Sequence, residues 1–287
     1  MFDGDQPIAG ENEAAVYRKL GLPLIPPEMR EDRGEFEPDA VPALIELKDV
    51  RGDLHLHTTA SDGTVDAETM AQAAQELGRE YIAVTDHSKS STIANGLSID
   101  RMWRHIEKLR QLNQKLKAIT VLVGCECDIL ADGRLDYPDQ LLAACDIVVA
   151  SVHTGMRQER RKLTARVLGA MENPHVSVIG HPTGRLLNQR DAMDVDLAAI
   201  VAKAAQTHTA LELNASWQRL DLNDRHLRMA RDAGVMISFG TDAHSVPQLD
   251  LMKYGVITAR RGWLAAKDVL NTRPLPAVRK WLAKKRG

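Results

Sequence analysis

Cysteine is scarce in this chain. Cys125, Cys127 and Cys145 are the only three among 287 residues, and no two of them form a Cys-x-x-Cys pair. A disulfide framework is excluded, and the usage fits a reducing cytosol, so a cytoplasmic location is expected. Long apolar runs are missing too: no stretch approaches the ~20 residues that span a bilayer, and the N-terminus lacks a signal-peptide core. No membrane partner is expected. An excess of one charge is also absent, since 37 Lys and Arg stand against 39 Asp and Glu. That balance excludes a globally basic nucleic-acid binder but leaves room for a local basic groove. A glycine-rich dinucleotide turn, a P-loop and a Ser-His-Asp order are missing as well.

What is present is an ordinary globular composition with a βα rhythm. Residues 1–48 stand apart: "GLPLIPPEMREDRGEFEPDAVP" is proline-rich and charged, and "NEAAVYRKLG" before it reads as a short helix. This segment is expected to be an arm or linker, the tail of something upstream, leading into a folded domain over 49–287. From Asp49 onward, β-branched apolar runs recur at "GDLHLH", "YIAVTDH", "TVLVGCECDI", "DIVVASVH", "VSVIGHP", "ALELNAS" and "VMISFGTDAH". Helical patterns separate them, several opening on an Asp or Asn cap or closing on Gly. Seven strands alternating with helices predict a parallel sheet closed into a barrel, with an open doubly wound sheet as the alternative.

The ten histidines test that reading. His55 and His57 end the first strand, His87 the second, His153 the fourth, His181 the fifth and His244 the seventh. Glu126 lies late in the third strand and Asp242 two residues before His244. In βα barrels the C-terminal strand ends share one rim, where active sites are built. Donors from six strands therefore converge on a single face, which predicts a metal site. His105 and His226 fall in helices, and His175 and His208 precede strands, so these four are read as structural. Alternation of side chains puts Glu126 and Asp128 on one face and Cys125 and Cys127 on the other, as core residues. Asp86 and His87 face oppositely; His87 is taken as the ligand, Asp86 as an orienting group or a strand-end cap.

Six imidazoles with Asp62, Glu126 and Asp242 exceed what one or two ions need. At about four ligands per ion, nine residues with one bridging carboxylate would fill a three-metal cluster. The nitrogen and oxygen donors suit Mn²⁺, Zn²⁺ or Fe²⁺ better than Mg²⁺ or Ca²⁺. Such clusters serve phosphate-ester hydrolysis: a bridging water of lowered pKa attacks phosphorus in line.

The motifs "DLHLHTTASDG", "TDHS", "GCECDIL", "SVHTG", "GHPTGRLL" and "TDAH" resemble the PHP (polymerase and histidinol phosphatase) superfamily over residues 49–272. A closer likeness, carried by "GLPLIPPEMREDRGE", "GHPTGRLLNQR" and "YGVITARRGWLAAKDVLNT", is to the C-terminal PHP domain of bacterial family X DNA polymerases. The resemblance implies a distorted seven-stranded (β/α)7 barrel with an N-terminal arm, holding three divalent ions. It implies a 3′–5′ exonuclease and 3′-end-processing phosphoesterase of DNA repair, with abasic-site incision among the related activities. DNA 3′ ends would be its substrate and a polymerase core its companion, in the same or a partner chain. Carried over residue by residue, one ion is held by His55, His57, Glu126 and Asp242. A second is shared through Glu126 with His153 and His181, and a third takes Asp62, His87 and His244. Asp62 is the position where relatives differ in ligand type. Glu126, Asp242 and His153 are the expected catalytic residues.

Phosphate contacts outside the metals are expected from Arg157, Arg185 and Arg219, each following a strand end, because guanidinium suits phosphate oxygens. Asn214 is a further substrate-binding candidate, and Trp217 could stack a terminal base or simply pack. The tail "RKWLAKKRG" reads either as a DNA-backbone contact or as a solubilising end. Two other functions stay open on the same residues: a small-molecule phosphatase of the histidinol-phosphate type, and a non-catalytic metal-braced domain of a polymerase.

Overall fold

The computed structural model describes residues 1–37 and 41–286. Residues 38–40 of the expected arm and residue 287 of the basic tail lie outside the described residues. Seven strands form one parallel sheet in sequence order: β1 (Gly52–Leu56), β2 (Tyr81–Val84), β3 (Thr120–Asp128), β4 (Ile147–Ser151), β5 (Val178–Ile179), β6 (Ala210–Asn214) and β7 (Ile237–Gly240). Helices α1 (Ala67–Glu76), α2 (Ile99–Lys115), α3 (Asp139–Ala144), α4 (Arg160–Glu172), α5 (Leu197–Thr207) and α6 (Asp224–Asp232) fill the crossovers. After β7 come α7 (Met252–Arg261) and α8 (Leu275–Lys284). The expected Asp and Asn caps are in place at Asp66, Asp196 and Asn223, each accepting from a first-turn amide, while α2 is capped by Ser98.

The sheet closes into a nearly complete (β/α)7 barrel, not an open doubly wound sheet. Where β1 ends and the chain leaves β7, Leu56 bridges Ala243, and the amides of His57 and Asp242 donate to Ala243 O and His55 O. Lower down, where the two strands have no regular ladder, side chains fill the seam. Thr241 donates its N–H (3.1 Å) and hydroxyl (2.5 Å) to the Asp53 carboxylate. Asn271 accepts from Phe239 N (2.7 Å) and donates to Phe239 O (2.8 Å) and Gly52 O (2.9 Å). Buried backbone groups need partners, and these two polar side chains supply them.

Strand alternation sorts the core into two layers. Val121, Val123, Cys125, Cys127, Leu211 and Leu213 face the helices, so the cysteines are core residues as expected. Leu54, Tyr81, Ala83, Leu122, Ile147, Val178 and Ala210 fill the lower lumen. Helix α8 plugs that lower mouth with Val278, Trp281 and Leu282, each burial contributing roughly 1.5–3 kcal/mol. The basic tail therefore sits at the end opposite the rim of histidines. Lys285 Nζ donates to Met171 O, Val176 O and Thr209 Oγ1, and Arg286 donates to Cys145 O and Asp146 O. Two of the tail's cations, Lys285 and Arg286, thus cap carbonyls of the lower rim, while Arg279, Lys280 and Lys284 are exposed.

The arm holds a two-residue hairpin (Phe2–Asp3 with Gln6–Pro7) and the expected short helix, Glu13–Lys19. It is docked rather than loose. Ile25 and Met29 bury completely against Trp263, while Glu28 pairs with Arg260 (2.7 Å), Glu31 with Arg261 (2.5 Å) and Arg33 with Asp224 (2.6 Å). Among the described residues no helix is long and apolar enough to cross a membrane.

Candidate metal centre

The upper lumen departs from the apolar pattern below it. His55 and Glu126 rise from β1 and β3, and His57, His87, His153, His181, Asp242 and His244 stand within a few residues of their strand ends. The turn after β1 carries Asp62. Glu126, 1% exposed, is the hub. Its Oε1 lies 2.9 Å from His181 Nε2 and 3.2 Å from His153 Nε2; its Oε2 lies 2.9 Å from His87 Nδ1, 3.5 Å from His55 Nε2 and 3.7 Å from His57 Nε2. Asp242 Oδ1 reaches His57 Nε2 at 3.1 Å and His55 Nε2 at 3.8 Å. Asp62 Oδ2 is 3.4 Å from His244 Nε2 and 3.6 Å from His87 Nε2.

Three sets of donor atoms come within coordination range: His55, His57 and Asp242; His87, Glu126 and His153; His57, Asp62, His87 and His244. His57 and His87 each belong to two sets, so their rings stand between neighbouring positions.

Neighbours orient the donors. His55 Nδ1 is 2.6 Å from Glu212 Oε1, and Glu212 Oε2 also accepts from His181 N (2.5 Å). His153 Nδ1 bonds Asp128, and His244 Nδ1 lies 2.8 Å from Asp242 O. The contacts of His55, His153 and His244 each tie down Nδ1 and leave Nε2 facing the centre, the usual arrangement behind metal-bound imidazole, while His181 is held through its backbone amide. Glu212 was missed in the sequence. Its signal was a carboxylate in the otherwise apolar "ALELNAS", on the same strand face as Asn214.

Asp86 turns outward as alternation requires. It accepts from Thr58 N, Thr58 Oγ1 and Ser61 Oγ, and lies 2.9 Å from His105 Nε2, so it pins the loop that carries Asp62. Asp53, in line with His55 and His57 by simple alternation, is taken by the seam, because the β1–β2 register shifts between Asp53 and Leu56. Gly240 leaves the room the centre needs: a Cβ there would stand 2.4 Å from His55 Cβ and 2.5 Å from Glu212 Oε1. His181 (φ 23°) and Asp242 (φ 55°) both sit in the left-handed region, backbone strain of the kind that gathers at functional sites.

Electrostatics fit cations at this place. Burial raises the Glu126 carboxyl, but His153, His55 and His87 outweigh it and hold it well below the usual carboxylate range. Burial likewise opposes ionisation of Asp242, and His55, His57 and Arg219 outweigh it. His57 is pushed down to about 4 by burial and by His87 and His244. His153 is lowered by burial but lifted to about 10 by Glu126 and Asp128, and His244 to about 9 by Asp62 and Asp242. Several donors have no partner despite being buried: His57 Nδ1, His87 Nδ1 and His181 Nδ1. His87 Nδ1 stands 2.9 Å from Glu126 without hydrogen-bond geometry, and His57 Nε2 stands 3.2 Å from His55 Nε2. Ionised carboxylates among crowded imidazole lone pairs suit divalent ions bound by nitrogen and oxygen.

The substrate-side candidates divide. Arg157 is exposed and lines a cleft of about 970 Å³ that opens beside His153, with Met156, Arg190 and Met193. Arg219 donates Nε–H to Asp242 Oδ2 (3.2 Å), while its buried Nη1 has no partner. Arg185 is spent on the carbonyls of Arg219 and Leu220, so it shapes the Arg219 loop. Asn214 is fully buried; its amide donates to Asp242 Oδ2 (3.0 Å) and accepts from Ser216 N, which places it behind the carboxylate rather than on the open face. Trp217 is 58% exposed at the tip of the same loop.

The PHP domain family model matches residues 53–216. The chain belongs to the PHP family. Residues 1–31, within the arm, match a second model, the DNA polymerase beta thumb. Over 273 residues, 94% of this PHP chain, it is 44% identical to a DNA polymerase/3′–5′ exonuclease PolX of Bacillus subtilis. It spans only 48% of that relative's length. A probable phosphatase of Clostridium acetobutylicum is 30% identical over 206 residues, 67% of this chain and 78% of that one. Among solved structures, a putative histidinol phosphatase of Listeria monocytogenes matches with a TM-score of 0.57 at 16% identity, covering 69% of this chain and 97% of that one. A histidinol phosphate phosphatase of Lactococcus lactis, solved with zinc, L-histidinol and phosphate, matches at 0.53 and 17%, covering 74% and 94%. These structural likenesses bear on fold alone. Family and donor set together make the chain a PHP-type metal-dependent phosphoesterase, related to family X polymerases.

Proposed function

We propose that this domain is a three-metal 3′–5′ exonuclease that also trims blocked DNA 3′ ends in repair, beside a family X polymerase core. His55, His57, Glu126 and Asp242 would hold one ion; Glu126, His153 and His181 a second; Asp62, His87 and His244 a third, with Mn²⁺, Zn²⁺ or Fe²⁺ as the suitable metals. Bound there, such ions supply Lewis acidity toward phosphate and a water of lowered pKa.

The chain's own groups do the rest. Glu126 draws five imidazoles onto one carboxylate, which keeps the donor sets adjacent. Asp128 fixes the tautomer and aim of His153. Arg219, held by Asp242 and by the Arg185-braced loop, stands beside the centre, and its buried, unpartnered Nη1 would have to turn outward to meet a non-bridging phosphate oxygen. Arg157 offers a second cation in the cleft beside His153, and exposed Trp217 a face for a terminal base. Trimming of blocked ends uses the same contacts, since the phosphate rather than the base is gripped.

The observation that carries DNA over a small ester is the likeness along nearly the whole chain, thumb segment included, to a relative named as polymerase and 3′–5′ exonuclease. A second reading, hydrolysis of small phosphomonoesters, is favoured by the phosphatase relative. Incubation of a 5′-labelled single strand and of histidinol phosphate, side by side with Mn²⁺, separates the two. Shortening from the 3′ end, stopped by EDTA, is expected; phosphate release from histidinol phosphate with intact DNA would overturn the proposal.

A further inference from the structure

A groove beside the Asp62 loop has no part in the centre described above. Helix α2 lays Arg101, Arg104 and Lys108 along one face, at spacings of three and four residues, and with Thr59 and His105 they line a space of about 290 Å³. No carboxylate is among the lining residues. Two of these side chains are structural. Arg101 donates to Ala60 O (2.6 Å) and Asn95 O (3.1 Å), which clamps α2 to the metal-site loop. His105 forms the floor, 2.9 Å from the Asp86 carboxylate that pins Thr58 and Ser61. The other two are free. Arg104 and Lys108 are exposed and make no ion pair or hydrogen bond among the described residues. On the helix itself Asp100 stands four residues before Arg104 and Glu107 three after it, spacings at which opposite charges favour a helix, yet neither carboxylate forms an ion pair with Arg104 among the described residues.

The rest of the rim differs. In the cleft beside His153 the arginines are offset by Glu159, Asp191 and Asp194, and Arg160 is paired with Asp194 (3.1 Å). That cleft suits a single nucleotide better than a run of phosphates. The neighbouring groove on the far side of Lys108 carries Asp66 and Glu68, which confines an anion to the Arg104 side.

We propose that Arg104 and Lys108 form a phosphate subsite for the DNA strand 5′ of the scissile linkage. The strand crosses the Ser61–Asp62 turn from the metal centre and lays its backbone on α2. The assignment rests on the nuclease reading above. Its test is the Arg104→Ala/Lys108→Ala double variant, with Arg104→Lys/Lys108→Arg as the charge-conserving rescue. Arg279→Ala/Lys280→Ala, which removes equal charge at the opposite end of the barrel, serves as control.

Binding is read by anisotropy with 5′-fluorescein oligonucleotides of two to twelve nucleotides carrying phosphorothioate 3′ linkages, and folding by thermal melts. For the twelve-mer the double variant should bind about tenfold more weakly, and the slope of log K on log salt should shrink by about 1.4, some 0.7 for each lost single-strand phosphate contact. The loss should grow with length, and the rescue variant should restore it. An unchanged salt slope, or an equal loss in the Arg279/Lys280 control, overturns the subsite. If the wild-type chain releases phosphate from small monoesters but neither binds nor cleaves any oligonucleotide, the nuclease reading falls first and this assignment with it.

Discussion

Replacing Glu126 by Gln keeps the shape of the hub and removes its charge. The native carboxylate is 1% exposed and has five imidazole nitrogens between 2.9 and 3.7 Å. Breaking a buried charge set by taking one partner away costs about 3–5 kcal/mol, which at 1.4 kcal/mol per tenfold corresponds to a loss of metal affinity of roughly 10²- to 4 × 10³-fold. Asp62 is the natural comparison. It is 29% exposed, its imidazole contacts are longer (3.4–4.0 Å), and solvent screens it. Asp62→Asn should therefore cost only about tenfold. Stoichiometry should separate the two more sharply, because Glu126 touches two of the proposed ions and Asp62 one. Competition of each variant with a chromophoric chelator for Mn²⁺ and Zn²⁺ gives affinity and number together, and circular dichroism checks the fold. Equal losses in affinity and stoichiometry would refute the idea that one carboxylate organises the centre.

Metal affinity should rise with pH. In the metal-free chain His153 titrates at about 10 and His244 at about 9, above the ordinary 6.5, so a metal must displace up to about two protons below pH 9. A log K that is flat between pH 7 and 9 in buffered chelator titrations would contradict this. The same raised values stabilise the metal-free fold fully below pH 6.5, and that contribution is lost as pH rises through 9 and 10; with EDTA present, melting should occur at lower temperature at pH 10 than at pH 7. Asn271→Ala removes three hydrogen bonds from the β7–β1 seam and leaves buried backbone groups unpaired. At about 1–3 kcal/mol for each of the three orphaned groups, urea unfolding should show a loss of at least about 3 kcal/mol; less than about 1 would mean the seam closes without it. Gly240→Ala forces His55 and Glu212 aside, and should weaken metal binding about tenfold or more with a smaller effect on the melt. A variant with native affinity would show that the close approach is not needed.

Much of this architecture was legible in the chain because barrels impose simple periods. Alternation along β3 put Glu126 inward and the two cysteines outward, and both are found so. The same rule at "TDH" separated His87 from Asp86. Rim placement of His55, His153, His181 and Asp242 followed from their positions at strand ends. Reading failed where a residue's role is set by something remote in sequence. Asp53 obeys the alternation of His55 only on a regular strand, and the register shift sends it to Thr241, 188 residues away. Glu212 was passed over because its partner His55 is 157 residues distant. The tail's charge was visible in the sequence, but the lower-rim carbonyls that Lys285 and Arg286 meet were not.

Sequence by itself determined the element types, the strand faces and the collection of donors on one rim. All of these depend on local period and on the direction in which a strand enters the barrel. Tertiary structure alone decided which donors come together, how the seam is sealed and which arginine stands against Asp242. His57 and His87 fall between two donor sets, and Arg219 rather than Arg185 carries the unpartnered nitrogen. These are matters of distances of a few ångströms between side chains from different strands, which no one-dimensional pattern encodes.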